Sequence, residues 1–505
     1  MPRFKPYSYE QTKMIPLSFD RQILPGTFEY TISKTVNTLD LTLFHRRFKN
    51  DDNGAPAFDP AILLKIVLYA YSKGVLSSRK IAQLCDENVV FMALSADSHP
   101  HFTTIADFVS SMQEEILPLF RQVVLVCLEL DLIEGSMFAI DGCKISSNAS
   151  KEWSGTKEDL GKKREKLIKA LDYMVKRHIE KDKRGEISED EDRNFDDRLK
   201  AAQAKIDKLE KWLSENEDKP GKRRRVRQSN ITDNESAKMK TSHGVIQGYT
   251  GVAAVDAKHQ IVVHTEAFGE GQEGDTLAPV MQGLKTNLKE AGLGPDVLEG
   301  AVITADSNFH SIENLKVLHN ERADGYIPDN NFRKRDPRFS TAFRHKGNDI
   351  PREKFFETSD FHYDKRSGCY ICPAGKKLHT NKNLMQILGL NYYAYKASRR
   401  DCGVCGLKAR CMRNERSKSK SININKDPYQ YLVKEMASKI DTPDGREIYS
   451  KRMAIIEPVF GNIRGAKRMD RFTLRTKRKV NIQWLLYCLV HNIEKICNYA
   501  PQWAV

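Results

Sequence analysis

The sequence has no apolar run long enough to cross a bilayer. The longest, Ala61 to Ala70, is interrupted by Lys65, whereas a spanning helix needs about 20 apolar residues. The opening residues, Met1-Pro-Arg-Phe-Lys-Pro-Tyr, lack the apolar core of a secretory signal. Acid is also in short supply: 82 Lys and Arg against 67 Asp and Glu leave a formal charge of +15, with a pI near 9.1. These absences argue against a membrane-spanning or secreted protein and predict a cytoplasmic one. A basic excess suits a polyanionic partner, of which nucleic acid is the commonest. A membrane surface would suit the charge as well, but no amphipathic anchor favours it. A disulfide framework is not expected either. Five of the ten cysteines cluster between Cys369 and Cys411, and in a reducing compartment such clustering points to a metal.

What is present divides into segments. At 505 residues the chain is long enough for two to four domains. Residues 1–135 read as helical: Pro60 to Tyr71 has the repeat of a core helix, Gly74 stops it, and Ser77-Ser78 caps a second helix through Cys85. A further helix starts at Thr103-Thr104. The spacing fits a helix-turn-helix DNA reader and a plain helical bundle equally well. Next comes Met137-Phe-Ala-Ile-Asp-Gly-Cys-Lys, an apolar strand that ends on an acid, Asp141. From Lys151 to Arg227 two amphipathic stripes flank a turn at Asp182-Lys-Arg-Gly185, which predicts a helical hairpin inserted at 151–227, closed by the basic run Lys222 to Arg227. Two strands around Asp256 to His259, a helix from Thr276 to Ala291, a strand ending on Asp306, a helix near Ile312 to Asn320 and a strand at Gly325 complete an α/β pattern. Residues 330–440 are polar, basic and Cys-rich and read as an insertion rather than more of that sheet. The α/β domain, 136–329, resumes over 441–505 with a helix around Glu457 and a last apolar-faced helix.

A carboxylate is expensive to bury alone, so the acids that close apolar strands require partners. Asp141 and Asp306 both do so, and Glu457 lies in a helix among Tyr449, Arg452 and Arg464. Brought together on one sheet, the three could hold two divalent ions ~4 Å apart, the arrangement for in-line phosphodiester chemistry. Magnesium, or manganese, suits such hard oxygen donors. Each acid has an ordinary alternative: an Asp after a strand caps a turn, and a Glu in a basic helix pairs with Arg.

These residues resemble the DDE transposases of bacterial insertion sequences. Asp141-Gly-Cys-Lys-Ile-Ser-Ser-Asn-Ala-Ser150 is similar to that family's first-aspartate block, and Thr304-Ala-Asp306 with Ser307 to Ser311 to its second. Tyr449, Arg452, Glu457 and Arg464 resemble the signature around its glutamate. Three departures are visible. Four residues separate Arg452 from Glu457, one more than the pattern; Arg464 stands where it has Lys; and Ser307-Asn308-Phe309 replaces its small residue, Gly and Tyr. The resemblance implies a ribonuclease H-like mixed sheet flanked by helices, with a helical N-terminal DNA-binding domain. It further implies Asp141, Asp306 and Glu457 as catalytic metal ligands, and Tyr449, Arg452, Arg464, Lys467 and Arg468 as DNA contacts. The activity implied is cleavage of double-stranded element-end DNA to free a 3′ hydroxyl, followed by its attack on target DNA, by a homodimer or larger assembly associated with the bacterial nucleoid. A nuclease of the same fold without strand transfer, and a domesticated DNA-binding protein, are the competing readings. Asp233 lies in another block resembling the family, but no apolar strand precedes it.

Cys369-Tyr-Ile-Cys372 and Cys402-Gly-Val-Cys405 are two C-x-x-C knuckles, and Cys411 follows. Two knuckles supply a tetrahedral set for a structural zinc. Knuckle geometry alone favours Cys369, Cys372, Cys402 and Cys405. The family likeness of the Cys-Pro-Ala-Gly block favours Cys372, Cys402, Cys405 and Cys411, with Cys369 the alternative. Cys85, Cys127, Cys143, Cys488 and Cys497 read as packed core thiols.

Overall fold

The computed structural model describes residues 18–48, 56–221, 226–339, 355–387, 390–414 and 416–503. Its first third is helical, and all but the last of its longer helices start where the sequence supplies a side-chain acceptor for free backbone N–H groups. They are α1 (Phe28–Thr38, capped by Thr27), α2 (Pro60–Ser72, capped by Asp59 with Pro60 in the first turn), α3 (Ser78–Glu87, capped by Ser77), α4 (Phe102–Ser111) and α5 (Ile116–Glu129). The turn between α2 and α3 contains Gly74 at φ +70°, a left-handed conformation that favours glycine. α3 packs on α4.

The sheet that follows is mixed. Its strands are β1 (Met137–Ser146), β2 (Ala237–Thr241), β3 (Gly244–Asp256), β4 (Val262–Phe268), β5 (Val302–Ala305) and β6 (Asp324–Tyr326). The order is β6-β5-β1-β3, with β2 and β4 sharing the far edge of β3. β1 runs parallel to β5 and antiparallel to β3, and β5 runs parallel to β6. β2 is the one strand of this sheet with no counterpart in the sequence reading. Helix α8 (Leu277–Glu290) packs on β4, and α9 (Ile312–Asn320) leads into β6.

The C-terminal helix, Lys477–Tyr499, is buried almost all round between Val480 and Ile493. Amphipathic patterning predicted one apolar face against the sheet. The helix also packs on α1, α2 and α5, so the N-terminal helices and the sheet share one continuous core. Its Trp484 lies so close to β3 that a Cβ on Gly251 would sit 2.8 Å from the indole.

Two excursions leave this core. Helices α6 (Lys157–Asp182) and α7 (Glu189–Glu215) form the expected hairpin, each begun by a reciprocal capping box, Thr156 with Asp159 and Ser188 with Glu191. A small cluster of Leu160, Leu209 and Trp212 anchors its base. Lys222 to Arg225 of the basic run lie outside the described residues. The second excursion is a six-stranded antiparallel sheet of its own. Its strands are β7 (His362–Asp364), β8 (Cys369–Ile371), β9 (Lys377–His379), β10 (Leu384–Ile387), β11 (Leu390–Ala397) and β12 (Ser421–Asn425), in the order β7-β8-β9-β11-β10 with β12 on β11. Alternation here is short and broken by Lys and Asn, which hid these strands from periodicity. Helix α10 (Gln430–Asp441) packs on α9, and α11 (Pro443–Gly461) packs on β1.

Pro458 sits inside α11, where it cannot donate to the carbonyl of Ala454. The Gln260 side-chain amide makes that bond instead, at 2.9 Å, and ties the helix to the turn between β3 and β4.

Two glycines give opposite expectations. Gly283 of α8 faces the buried ring of His264, and a Cβ there would lie 2.1–2.5 Å from three ring atoms. Gly161, inside α6, has nothing within 4 Å. Gly283→Ala should cost about 3 kcal/mol by overpacking, and Gly161→Ala should add about 0.5–1 kcal/mol by helix propensity. Urea denaturation of the two variants checks both signs; equal effects would contradict the packing described.

Candidate active site

The β1–β5 register pairs Ile140 with Ala305. Asp306 therefore leaves the carboxyl end of β5 beside Asp141, which does not end its strand as the sequence suggested: β1 runs on to Ser146, kept extended by its pairing with β3, and Asp141 lies midway along it, where β5 stops. Asp141 is held from both sides: it pairs with Ala253 across β3, and its Oδ1 accepts the Gly142 N–H at 2.8 Å. Asp306 starts the short turn Ser307–Phe309. Its Oδ1 accepts the Asn308 N–H at 2.9 Å, and its Oδ2 accepts the Asn308 side-chain amide at 3.0 Å.

A third acid joins them. Oxygens of Asp141, Glu273 and Asp306 all lie within 4.8 Å of one another, the one such acidic group among the described residues. Glu273 opens the turn Glu273–Asp275 between β4 and α8 and is 8% exposed. Sequence reasoning missed it because it follows no apolar strand. It stands in the polar run Gly269-Glu-Gly-Gln-Glu-Gly-Asp275, where nothing distinguishes one acid from the next.

The electrostatics follow from burial and crowding. Burial, then the charges of Asp306 and Asp141, push the Glu273 carboxyl up to about 7. Burial, then Asp141, raises that of Asp306. The counter-charge is Arg452 of α11, whose Nη1 donates to Asp141 Oδ2. Burial opposes its charge, but Asp141 and the Tyr449 hydroxyl outweigh it, and its pKa is raised. Arg452 Nε is buried without a partner. Three hard carboxylates with one guanidinium among them suit a divalent cation of the magnesium or manganese type.

Glu457 lies five residues beyond Arg452 on α11; it is exposed and stands outside the group of three. Tyr449 is half-buried, with its ring against Phe332 and the Arg452 guanidinium over its other side. Arg464 and Arg468 are exposed. Lys467 is 2% exposed, and its ammonium is taken up by Glu494 at 2.6 Å and Asn462 at 2.8 Å, so it faces the core rather than a ligand. Asp233 is buried away from the acids. It accepts the Tyr249 hydroxyl at 2.8 Å and the Thr476 N–H at 3.4 Å, which is a structural role.

In the second sheet one small cleft is lined by Cys372, Cys402, Cys405 and Cys411. Burial raises the Cys411 thiol, Lys420 opposes, and the thiols of Cys402, Cys372 and Cys405 are its nearest acidic neighbours. The Lys376 N–H points at Cys372 Sγ, 3.3 Å away. Cys369 faces elsewhere, toward His379 Nδ1 at 3.1 Å. The four sulfurs share this cleft, but no three of them lie within the 4.8 Å of one another that a bound ion would require, so the knuckles are neighbours here without being drawn to tetrahedral spacing. Cys85, Cys127, Cys143 and Cys488 are buried in the main core, as scattered thiols should be.

No curated protein and no solved structure matches the chain. Two family models do. A transposase domain (DUF772) matches residues 17–111, the N-terminal helices, and a transposase DDE domain matches residues 371–497. The second match contains the cysteine cleft, Arg452 and Glu457, and neither aspartate. No helix among the described residues is long and apolar enough to cross a membrane. A transposase domain matched toward each end of the chain supports a DDE transposase of insertion-sequence type.

Proposed function

We propose that this transposase cleaves double-stranded DNA at an element's ends and joins the freed 3′ hydroxyl to target DNA on a ribonuclease H-like sheet. The observation that carries the reading is the β1–β5 register, because it gathers two acids 165 positions apart in the sequence at one sheet edge. The mixed sheet, antiparallel on one side of β1 and parallel on the other, supports it. Asp141 and Asp306 would hold divalent ions, and Glu457 would join them from α11, the helix that already brings Arg452 to Asp141. When bound, two such ions neutralise charge on the reacting phosphate and acidify a water or hydroxyl nucleophile. The protein's own part is to fix the carboxylates on adjacent strands and to hold cationic groups beside them. Arg452 neutralises Asp141 without substrate and would contact phosphate with it. Arg464 and Arg468, exposed on the segment after α11, and Tyr449 would flank the DNA. Two ends meeting one target call for a dimer or larger assembly. The cysteine cleft would hold a structural zinc through Cys372, Cys402, Cys405 and Cys411, ordering the second sheet and the basic loops that it carries.

Asp306→Ala and Glu457→Gln should each lower cleavage of element-end DNA by about 10³-fold or more while leaving DNA affinity within a few-fold. Binding rests mainly on Lys and Arg contacts to phosphate, and chemistry on the acids. Gel assays of cleavage, strand transfer and binding on the same preparations check this. Normal cleavage by either variant removes that residue from the ligand set, and cleavage without joined products reduces the activity to that of a nuclease.

Elemental analysis of the purified chain should find about one zinc per chain. Cys405→Ser should lose it and Cys369→Ser should keep it. The reverse pattern would exchange Cys369 into the site.

A further inference from the structure

We propose that Glu273 is a further ligand of the divalent ion at the Asp141–Asp306 site, admitted by Gly142 and steered by Asn308; this rests on the metal-dependent reading above. Glu273 comes from a different element than either aspartate, and two neighbours explain how it reaches them. A Cβ on Gly142 would stand 3.3 Å from both Cγ and Cδ of Glu273 and 2.9 Å from the Thr250 methyl. The bare backbone at 142 is thus the space through which the glutamate approaches β1. The second neighbour is Asn308, which occupies the position where the resembling pattern carries glycine. Its side-chain amide donates to Asp306 Oδ2 at 3.0 Å and to Glu273 Oε2 at 3.4 Å. One amide therefore spans the two carboxylates and fixes their separation, which a glycine there could not do.

The charge count points the same way. Three acids converge, and among them the Arg452 guanidinium hydrogen-bonds only Asp141, reaching Asp306 through space alone. Among the described residues no lysine or arginine forms an ion pair with Glu273, although Lys144 is near enough to act on it through space. Unpaired burial of carboxylates is costly, and a divalent cation among the three would satisfy the group. The opposing possibility is a purely structural Glu273, held for its bond to Asn308. Such a residue would stabilise the fold without metal; a ligand crowded by two other acids should not.

The test uses the full-length chain and Mn2+ as probe, with thermal melting and electron paramagnetic resonance of free Mn2+, both without DNA. Glu273→Gln keeps the shape and the contact with Asn308 but removes the charge. Its metal-free Tm should equal or exceed that of the parent, its Mn2+ affinity should fall tenfold or more, and the Mn2+-induced rise in Tm should shrink accordingly. Glu273→Asp, which keeps the charge on a shorter arm, should fall between parent and Glu273→Gln. Parental Mn2+ affinity in Glu273→Gln overturns the proposal, as does a lowered metal-free Tm with the Mn2+ response intact. Asp141→Asn and Asp306→Asn separate this from the underlying reading. If they too bind Mn2+ as the parent does, the metal site itself is misplaced; if they lose it while Glu273→Gln does not, only Glu273 is excluded.

Discussion

The active-site geometry depends on one electrostatic conflict: carboxylates forced together at the edge of a rigid sheet. Two unit charges near 5 Å apart repel by about 3 kcal/mol in an environment of intermediate polarity, and here three groups crowd within 4.8 Å. Asp141 cannot retreat. Its strand is paired on both sides, with β5 and β3, and Phe138, Ala139 and Ile140 before it are fully buried. The tension is met where the groups can respond. Glu273 takes up a proton near neutrality, and Arg452 is drawn to Asp141. Crowded, shifted groups of this kind are a mark of functional sites.

Much of the remaining architecture keeps Arg452 in reach. It rides on α11, a helix that continues through Pro458 because Gln260 satisfies the carbonyl that the proline leaves free. Gln260 belongs to the turn between β3 and β4, so helix and sheet are joined a short distance from the acids. The C-terminal helix fixes the far side through Asn492, whose side chain exchanges hydrogen bonds with the Val262 backbone at 2.9 and 2.8 Å. The guanidinium is therefore positioned by a frame that runs from α11 through the β3–β4 turn to the C-terminal helix.

How much of this could be read in advance differs from element to element. Asp141 and Asp306 were legible because each closes a run of apolar residues, which is visible in one dimension; that β1 runs on past Asp141 to Ser146 was not, because the pairing with β3 that carries it is remote in sequence. The helical hairpin was legible from its stripes and its Asp182-to-Gly185 turn. Glu273 was not, because what selects it among Glu270, Glu273 and Asp275 is the missing side chain at Gly142 and the reach of Asn308, both remote in sequence. The second sheet was hidden because its strands are short and mostly half-exposed, leaving little alternation to detect. Lys467 shows the converse limit. In a run of basic residues, composition treats every charge as a candidate for DNA, whereas the fold turns this one inward to Glu494.

The basic segment after α11 serves two ends that a charge count cannot separate. Arg471 Nε donates to the Ser147 carbonyl at 3.1 Å, and Arg475 Nε to that of Asn148 at 2.9 Å. The Phe472 N–H bonds Ser146 at 2.8 Å, and the Asn148 amide bonds Thr473. These contacts bind the tail of the Asp141 block, so part of the positive charge clamps the strand that carries the first aspartate. Arg464 and Arg468 remain turned outward. Arg471 and Arg475 are exposed as well, but each has its Nε committed to a backbone carbonyl. Their bonds fasten the chain just beyond β1, so the strand that carries Asp141 is tied at its tail by this segment and along its length by β3 and β5.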